Sequence, residues 1–308
     1  MSTALAFRDV HKRFDNTTAL AGMTFEVPRG TITGLVGPNG AGKTTCFSVA
    51  AGLLKADAGV IDVLGAGPFN PARSSGKLGL LPQDALLPAG TRVRDELVYC
   101  CRLQGMSPAQ AERESDRLLD LVELRERARS RIGDLSHGMK RRVGVAQALL
   151  GSPELILLDE PTNGLDPHLV AQMRDTLRSQ RERHGSTLVV SSHVLGELEL
   201  LCDHVIFVEA GHVTTSGSMR QVTGQDTTAR VLLAAPVSLD MIQAKLTGTR
   251  CSFEESWLRV LAPASTDSVQ LNRRVLSALL ELDAGIIELR TGDSLEDTYL
   301  AKRNQARL

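Results

Sequence analysis

The chain has 308 residues, room for one large domain or a large and a small one, and its 42% hydrophobic and 23% charged residues are those of a globular protein. A formal charge of -1 gives no broad electrostatic attraction to nucleic acid or anionic membrane, and 3% aromatics leave little for stacking on single-stranded bases. No apolar run approaches the roughly 18–20 residues that cross a bilayer, residues 1–9 lack the layout of a signal peptide, and five cysteines without CxxC spacing argue for structural thiols, so the reading is a cytoplasmic protein.

In chain order, Ala4–Val27 reads as short alternating strands around a turn at Asp15–Thr17, a small antiparallel sheet. Thr31–Val36 is an apolar strand, followed by a glycine-rich loop and a helix from Lys43 to Leu54. Another apolar strand, Lys77–Leu81, ends at Pro82-Gln83. From Val93 to about Leu150 the periodicity is helical, with Leu97, Leu103, Leu118, Leu119, Val122 and Leu124 marking buried faces in a helical stretch of about 86–150. Leu155–Leu158 is uninterrupted apolar before Asp159, the pattern of a strand covered on both faces of a mostly parallel sheet. Thr187–Ser191 is similar and ends at Ser192-His193. A hairpin, Val205–Glu209 and His212–Thr215 around Ala210-Gly211, closes a first domain of residues 1–217.

A polar break at Thr215–Thr228 opens a second domain, 218–308. There Arg230–Ala234, Arg250–Phe253, Trp257–Leu261 and Ile286–Leu289 read as strands, and Leu239–Leu246 and Asp267–Leu282 as helices. Their order, βαββαβ, is the ferredoxin-like arrangement. A terminal helix from Ser294 follows.

The run Gly37-Pro38-Asn39-Gly40-Ala41-Gly42-Lys43-Thr44 matches GxxxxGK[ST] at every fixed position, between a strand and a helix. Its glycines let amide groups curl around phosphate oxygens at the positive end of the helix; Lys43 would reach the β- and γ-phosphates and Thr44 would ligate Mg²⁺. Asp159, at a strand end, is placed to hold Mg²⁺, and Glu160 could take a proton from attacking water; a pair of solvated acids is the plainer alternative. Ser136 is a good N-cap for a helix whose first turn carries Lys140, Arg141 and Arg142, against the helix dipole. An arriving anion would relieve that conflict; open solvent is the ordinary explanation. Gln83 reads as a surface residue, His193 as a structural one, and Phe14 as core or as a ring to stack on adenine.

Taken together and in order, these segments resemble the nucleotide-binding subunit of an ABC transporter over roughly residues 4–217. The resemblance implies a P-loop ABC ATPase fold: an α/β domain with a mostly parallel sheet, an antiparallel β subdomain and a helical subdomain. Phe14 matches the aromatic position beside adenine, Gly37–Thr45 the Walker A loop, Gln83 the glutamine loop, and Leu155–Glu160 Walker B with its catalytic glutamate. Asp166 falls in the D-loop and His193 matches the switch histidine. Leu135-Ser136-His137-Gly138-Met139 matches the signature segment LSGGQ, with histidine for a glycine and methionine for the glutamine.

By the same resemblance, ATP with Mg²⁺ lies between the loop of one copy and Ser136 and Gly138 of a second, as in a homodimer working with a membrane-spanning permease on the inner face of the membrane. Gln83 would link Mg²⁺ to the helical subdomain, and His193 would orient phosphate and water. The run Asp293-Ser294-Leu295-Glu296-Asp297-Thr298-Tyr299-Leu300 is similar to an ending common in exporter ATPases. An importer subunit is the alternative, and an ABC ATPase outside transport a more distant one.

Overall fold

The computed structural model describes residues 2–84, 86–224, 227–254, 256–263 and 266–305. The chain divides into two compact units between Ser216 and Gly217.

The first unit opens with β1 (Thr3–Phe14), β2 (Thr17–Pro28) and β3 (Ile32–Val36). Then come α1 (Lys43–Ala50), β4 (Ala58–Val63), the one-turn α2 (Pro71–Ser74) and β5 (Leu78–Leu81). Three helices follow in succession: α3 (Val93–Leu103), α4 (Pro108–Leu121) and α5 (His137–Ala148). Next are β6 (Leu155–Asp159), α6 (Pro167–His184), β7 (Thr187–Ser191), α7 (Leu195–Leu201) and β8 (His204–Glu209). An edge strand, β9 (His212–Ser218), follows a turn in which Ala210 and Gly211 both have positive φ.

These strands form two sheets. The antiparallel one has the order β2-β1-β4, and Phe7 and Phe25, opposite in register, stack with centroids 4.7 Å apart. Its strands β1 and β2 are each twelve residues long, not short, because bulges let them keep pairing past irregular positions such as Asp9. The sequence pattern does not single out β4, whose first three residues are exposed.

The second sheet has the order β5-β6-β7-β3-β8-β9. From β5 to β8 every pairing is parallel, so the carboxyl ends of these strands share one edge. Every residue of β3, β6 and β7 is buried. Burying one Leu, Val or Ile side chain contributes roughly 1.5–3 kcal/mol. These strands therefore hold firmly whatever their carboxyl ends carry, the edge where ligands of open α/β sheets sit.

Two helices of this unit depart from expectation. α1 stops at Ala50 and not Leu54, because the chain turns at Gly52 with φ 70°. Leu103, the last residue of α3, is exposed and not part of a buried face.

The second unit contains α8 (Met219–Val222), β10 (Thr228–Leu233), α9 (Leu239–Lys245), β11 (Arg250–Glu254) and β12 (Trp257–Leu261). It ends with α10 (Ser268–Glu281), β13 (Ile286–Thr291) and α11 (Leu295–Gln305). The segment expected as a plain polar break thus carries the end of β9 and the short α8. The sheet order is β11-β12-β10-β13, all antiparallel, over a core that includes Val231, Leu258, Val260, Leu271, Val275 and Leu279. The run from Asp293 acts here as a clasp. Ser294 Oγ accepts the Asp297 amide at 3.0 Å, Leu295 is fully buried, and the Asp297 carboxylate pairs with Arg230 on β10.

Candidate active site

β3 leads into the glycine-rich loop, and two of its glycines are fixed by close approach. A Cβ on Gly37 would stand 2.2 Å from the Val208 carbonyl oxygen, and one on Gly42 2.4 Å from that of Ala19. Gly42 also has φ 102°, open to glycine and costly for other residues. It N-caps α1 without a side chain, and no acid lies in the first turn. The leading amides of α1 and the positive end of its dipole are thereby left to an anion. Lys43 Nζ donates to the carbonyls of Gly37 (2.8 Å) and Pro38 (3.1 Å). Burial draws its pKa below the usual lysine value, against the pull of the Glu160 and Asp159 carboxylates.

The carboxylates come from the neighbouring strand ends. Thr44 Oγ1 donates to Asp159 Oδ2 at 2.6 Å and stands 3.3 Å from Gln83 Oε1. The other oxygen of Asp159 accepts the hydroxyl of Ser191, at the end of β7, and that hydroxyl accepts the Glu160 amide at 2.9 Å. Glu160 has φ 53°, a left-handed backbone that costs a non-glycine residue on the order of 1–3 kcal/mol and persists only where its surroundings impose it. Its side chain is 11% exposed, with Oε1 3.4 Å from His193 Nδ1 and Oε2 accepting from Asn163 Nδ2 at 3.3 Å.

Lys43, Thr44, Gln83, Asp159 and Glu160 line one cleft of about 430 Å³, with Thr17, Ala19, Asn39, Gly40, Gly42 and Thr45 on its remaining wall. Thr44, Gln83 and Asp159 converge as hydroxyl, amide and carboxylate oxygens, the donor chemistry of a hard divalent cation. Among the described residues no three His, Cys, Asp or Glu are grouped to hold a metal by themselves. A cation here would complete its shell with oxygens brought by a ligand.

Other candidates lie outside the cleft. Ser136 N-caps α5, accepting the Met139 amide at 3.3 Å. His137 and Gly138 rest on their own chain: a Cβ on Gly164 would come within 2.8 Å of His137 Cδ2, and one on Gly138 within 3.1 Å of Leu165 Cδ2. Asp166 caps α6, its carboxylate accepting the Leu169 amide at 3.0 Å. Phe14 is exposed at the end of β1, where it pairs in register with the cleft residue Thr17. Gly37, Pro38 and Ala41 shape the loop behind the cleft wall.

The basic run of α5 does not stand in open solvent: Arg141 is buried, and the long side chains of Lys140, Arg141 and Arg142 reach backbone carbonyls. Lys140 donates to Gly133 (3.1 Å) and Arg142 to Val122 (3.0 Å) and Glu123 (3.2 Å). Arg141, 6% exposed, donates to the carbonyls of Pro82, Gln83, Asp159 and Glu160. Burial lowers its pKa against the attraction of Asp159, Glu160 and Asp84. Among the residues that shape this site, sequence reasoning passes over Ser191 and reads Arg141 only as one member of a basic run. Ser191 had a signal, its place at a parallel strand's carboxyl end; the carbonyl partners of Arg141 leave none.

The thiols are structural: Cys46, Cys101, Cys202 and Cys251 are buried, and burial pushes Cys100 and Cys101 up to about 11.

Residues 20–163 match the sequence pattern of the ABC transporter family. The chain is 34% identical over 306 residues to Nod factor export ATP-binding protein I of Burkholderia orbicola, with 97% of each chain covered. It is 33% identical over 215 residues to a linearmycin resistance ATP-binding protein of Bacillus subtilis, covering 70% of this chain and 69% of that one. A solved ATP-binding subunit of an ABC transporter superposes on 72% of this chain and 93% of its own with a TM-score of 0.65 at 28% identity. Likeness that runs the length of a relative, on a cleft built from these strand ends, means that the chain belongs to the ABC transporter family as one of its ATP-binding, ATP-hydrolysing subunits.

Proposed function

We propose that this subunit energises export through a separate membrane permease, hydrolysing ATP between two copies of itself. The observation that carries the reading is the convergence of Lys43, Thr44, Gln83, Asp159 and Glu160 in one cleft at the carboxyl ends of β3, β5 and β6. Lys43 and the leading amides of α1 would bind the β- and γ-phosphates. Thr44, Asp159 and Gln83 would hold Mg²⁺, whose charge, when it is bound, offsets that of the phosphates. Glu160 accepts the proton of the attacking water, a contribution typically of about 10²- to 10⁴-fold. His193, at hydrogen-bond reach of Glu160, orients that carboxylate and the water. Phe14, beside Thr17, offers its exposed ring to adenine.

Ser136, Gly138 and Asp166 do not line the cleft of their own chain, which leaves them for a partner copy's nucleotide. The full-length likeness to an export ATP-binding protein supports the direction of transport. Among the described residues no helix is long and apolar enough to cross a membrane; in this reading the subunit docks on the inner face of a separate permease.

In the test, Lys43→Ala is expected to weaken ATP binding at least about tenfold, roughly the 1.4 kcal/mol of one lost charge-assisted contact, and to lose ATP-dependent self-association by light scattering. Unchanged ATP affinity in that variant would remove the reading.

A further inference from the structure

One buried guanidinium joins parts of the cleft that lie far apart in sequence. Arg141, near the start of α5, sends Nη1 to the carbonyls of Pro82 (3.0 Å) and Gln83 (2.8 Å), just beyond β5. Its Nε (3.1 Å) and Nη2 (2.9 Å) both reach the Glu160 carbonyl, and Nη2 also bonds the Asp159 carbonyl at the end of β6. β5 and β6 pair in register up to Leu81 and Leu158. Arg141 therefore braces the two strands at the point where their ladder stops and their functional side chains begin.

The brace bears on two separate requirements of hydrolysis. Gln83 Oε1 faces Thr44, and the Glu160 carboxylate faces His193. Both depend on the orientation of the peptides that Arg141 holds. Glu160 is in addition strained, with its amide held by Ser191 and its carbonyl by Arg141. A charged fork in a dry site suits this task. Its five N–H groups are fixed in a plane, whereas a lysine ammonium would reach only part of the set.

We infer that Arg141 is a positioning residue for ATP hydrolysis: it sets Gln83 and Glu160 relative to each other and ties both to α5, the helix that begins at Ser136. The inference rests on the reading of the cleft as the hydrolytic site. It predicts that the chemistry, more than the binding of nucleotide, depends on this residue.

The experiment uses the full chain with enzyme in excess of γ-labelled ATP, alongside binding of a fluorescent ATP analogue. Arg141→Gln is expected to slow hydrolysis by about 10- to 100-fold, the scale of a displacement near 1 Å in a reacting group, with analogue affinity held within about threefold. Arg141→Lys should fall between that variant and the wild type. Arg142→Gln, which loses carbonyl contacts at Val122 and Glu123 away from the cleft, should hydrolyse ATP like the wild type.

The proposal is overturned by wild-type hydrolysis in Arg141→Gln, by parallel losses of hydrolysis and affinity, or by an equal loss in Arg142→Gln. Should Arg141→Gln fail to fold, Arg141→Lys decides: slowed hydrolysis at retained affinity supports the brace, and an unchanged rate rejects it. Glu160→Gln run in the same series separates the two claims. If it hydrolyses ATP normally, the cleft reading itself is wrong; if it does not, a normal Arg141→Gln rejects the brace alone.

Discussion

The six-stranded sheet and the four-stranded sheet of this chain handle charge in opposite ways. In the first, apolar strands buried on both faces deliver Lys43, Asp159 and Glu160 to one edge, where Lys43 bonds carbonyls and not a carboxylate. In the second, Arg230, Arg259 and Arg290 stand side by side in register across three strands, an arrangement of like charges that destabilises a sheet unless it is answered. It is answered pair by pair: Arg230 with Asp297, Arg259 with Asp293, Arg290 with Glu288. Arg230 and Arg290 also lie over the Trp257 ring, at 5.4 and 4.8 Å. Charge gathered in a cleft and held by strained backbone is fitted for chemistry; charge distributed and paired is fitted for stability.

The contrast is broken or sharpened by substitutions on either side. Lys43→Ala should cut turnover by more than about 100-fold, as expected when a transition-state charge contact is lost, while barely moving the thermal midpoint.

An intermediate effect is expected at Gly164, which has φ 76° and where an added Cβ would stand 2.8 Å from His137 Cδ2. Gly164→Ala should destabilise the first unit by about 1–2 kcal/mol through the left-handed backbone alone, with the clash added. Combining it with His137→Gly should recover the steric part only. Denaturant unfolding of the single and double variants measures both; full recovery in the double would mean that the backbone carries no strain.

The smallest effect belongs to the second sheet. Burial alone would raise the Asp297 carboxyl, but the Ser294 hydroxyl and the Arg230 guanidinium outweigh it and hold the group below its ordinary 3.8. Its contribution is therefore complete above pH 3.8 and is lost as pH falls through the lower folded value. The side chain is 45% exposed, so Asp297→Asn should cost no more than about 1 kcal/mol near neutrality, a difference that closes in acid. Trp257, the sole tryptophan, reports it by fluorescence. Turnover should not change, and a large loss would blur the contrast between the sheets.

What could be read in the sequence follows from where each signal is stored. The phosphate loop is nine consecutive residues whose types answer to one steric demand, so its strand–loop–helix context is legible. The strands β3, β6 and β7 are legible because burial on both faces leaves unbroken apolar runs. In the second unit, the alternation of short strands and amphipathic helices carries the βαββαβ order. β4 is hidden because its pairing with β1 is decided by tertiary contact and its own residues are half exposed. Arg141 is hidden for a different reason. Its partners are carbonyls, which every residue has, so a basic run that binds backbone looks the same as one that awaits an anion. The close approach of the His137 ring to Gly164 joins the start of α5 to a loop that no local pattern relates to it.

The central claim is that the strand-end cleft hydrolyses ATP with Glu160 as the base. Single-turnover hydrolysis of γ-labelled ATP by the full-length Glu160→Gln chain tests it most directly. The account predicts that ATP remains bound and that the hydrolysis rate falls by at least about 100-fold. Hydrolysis at the wild-type rate, with ATP bound equally well, would contradict it.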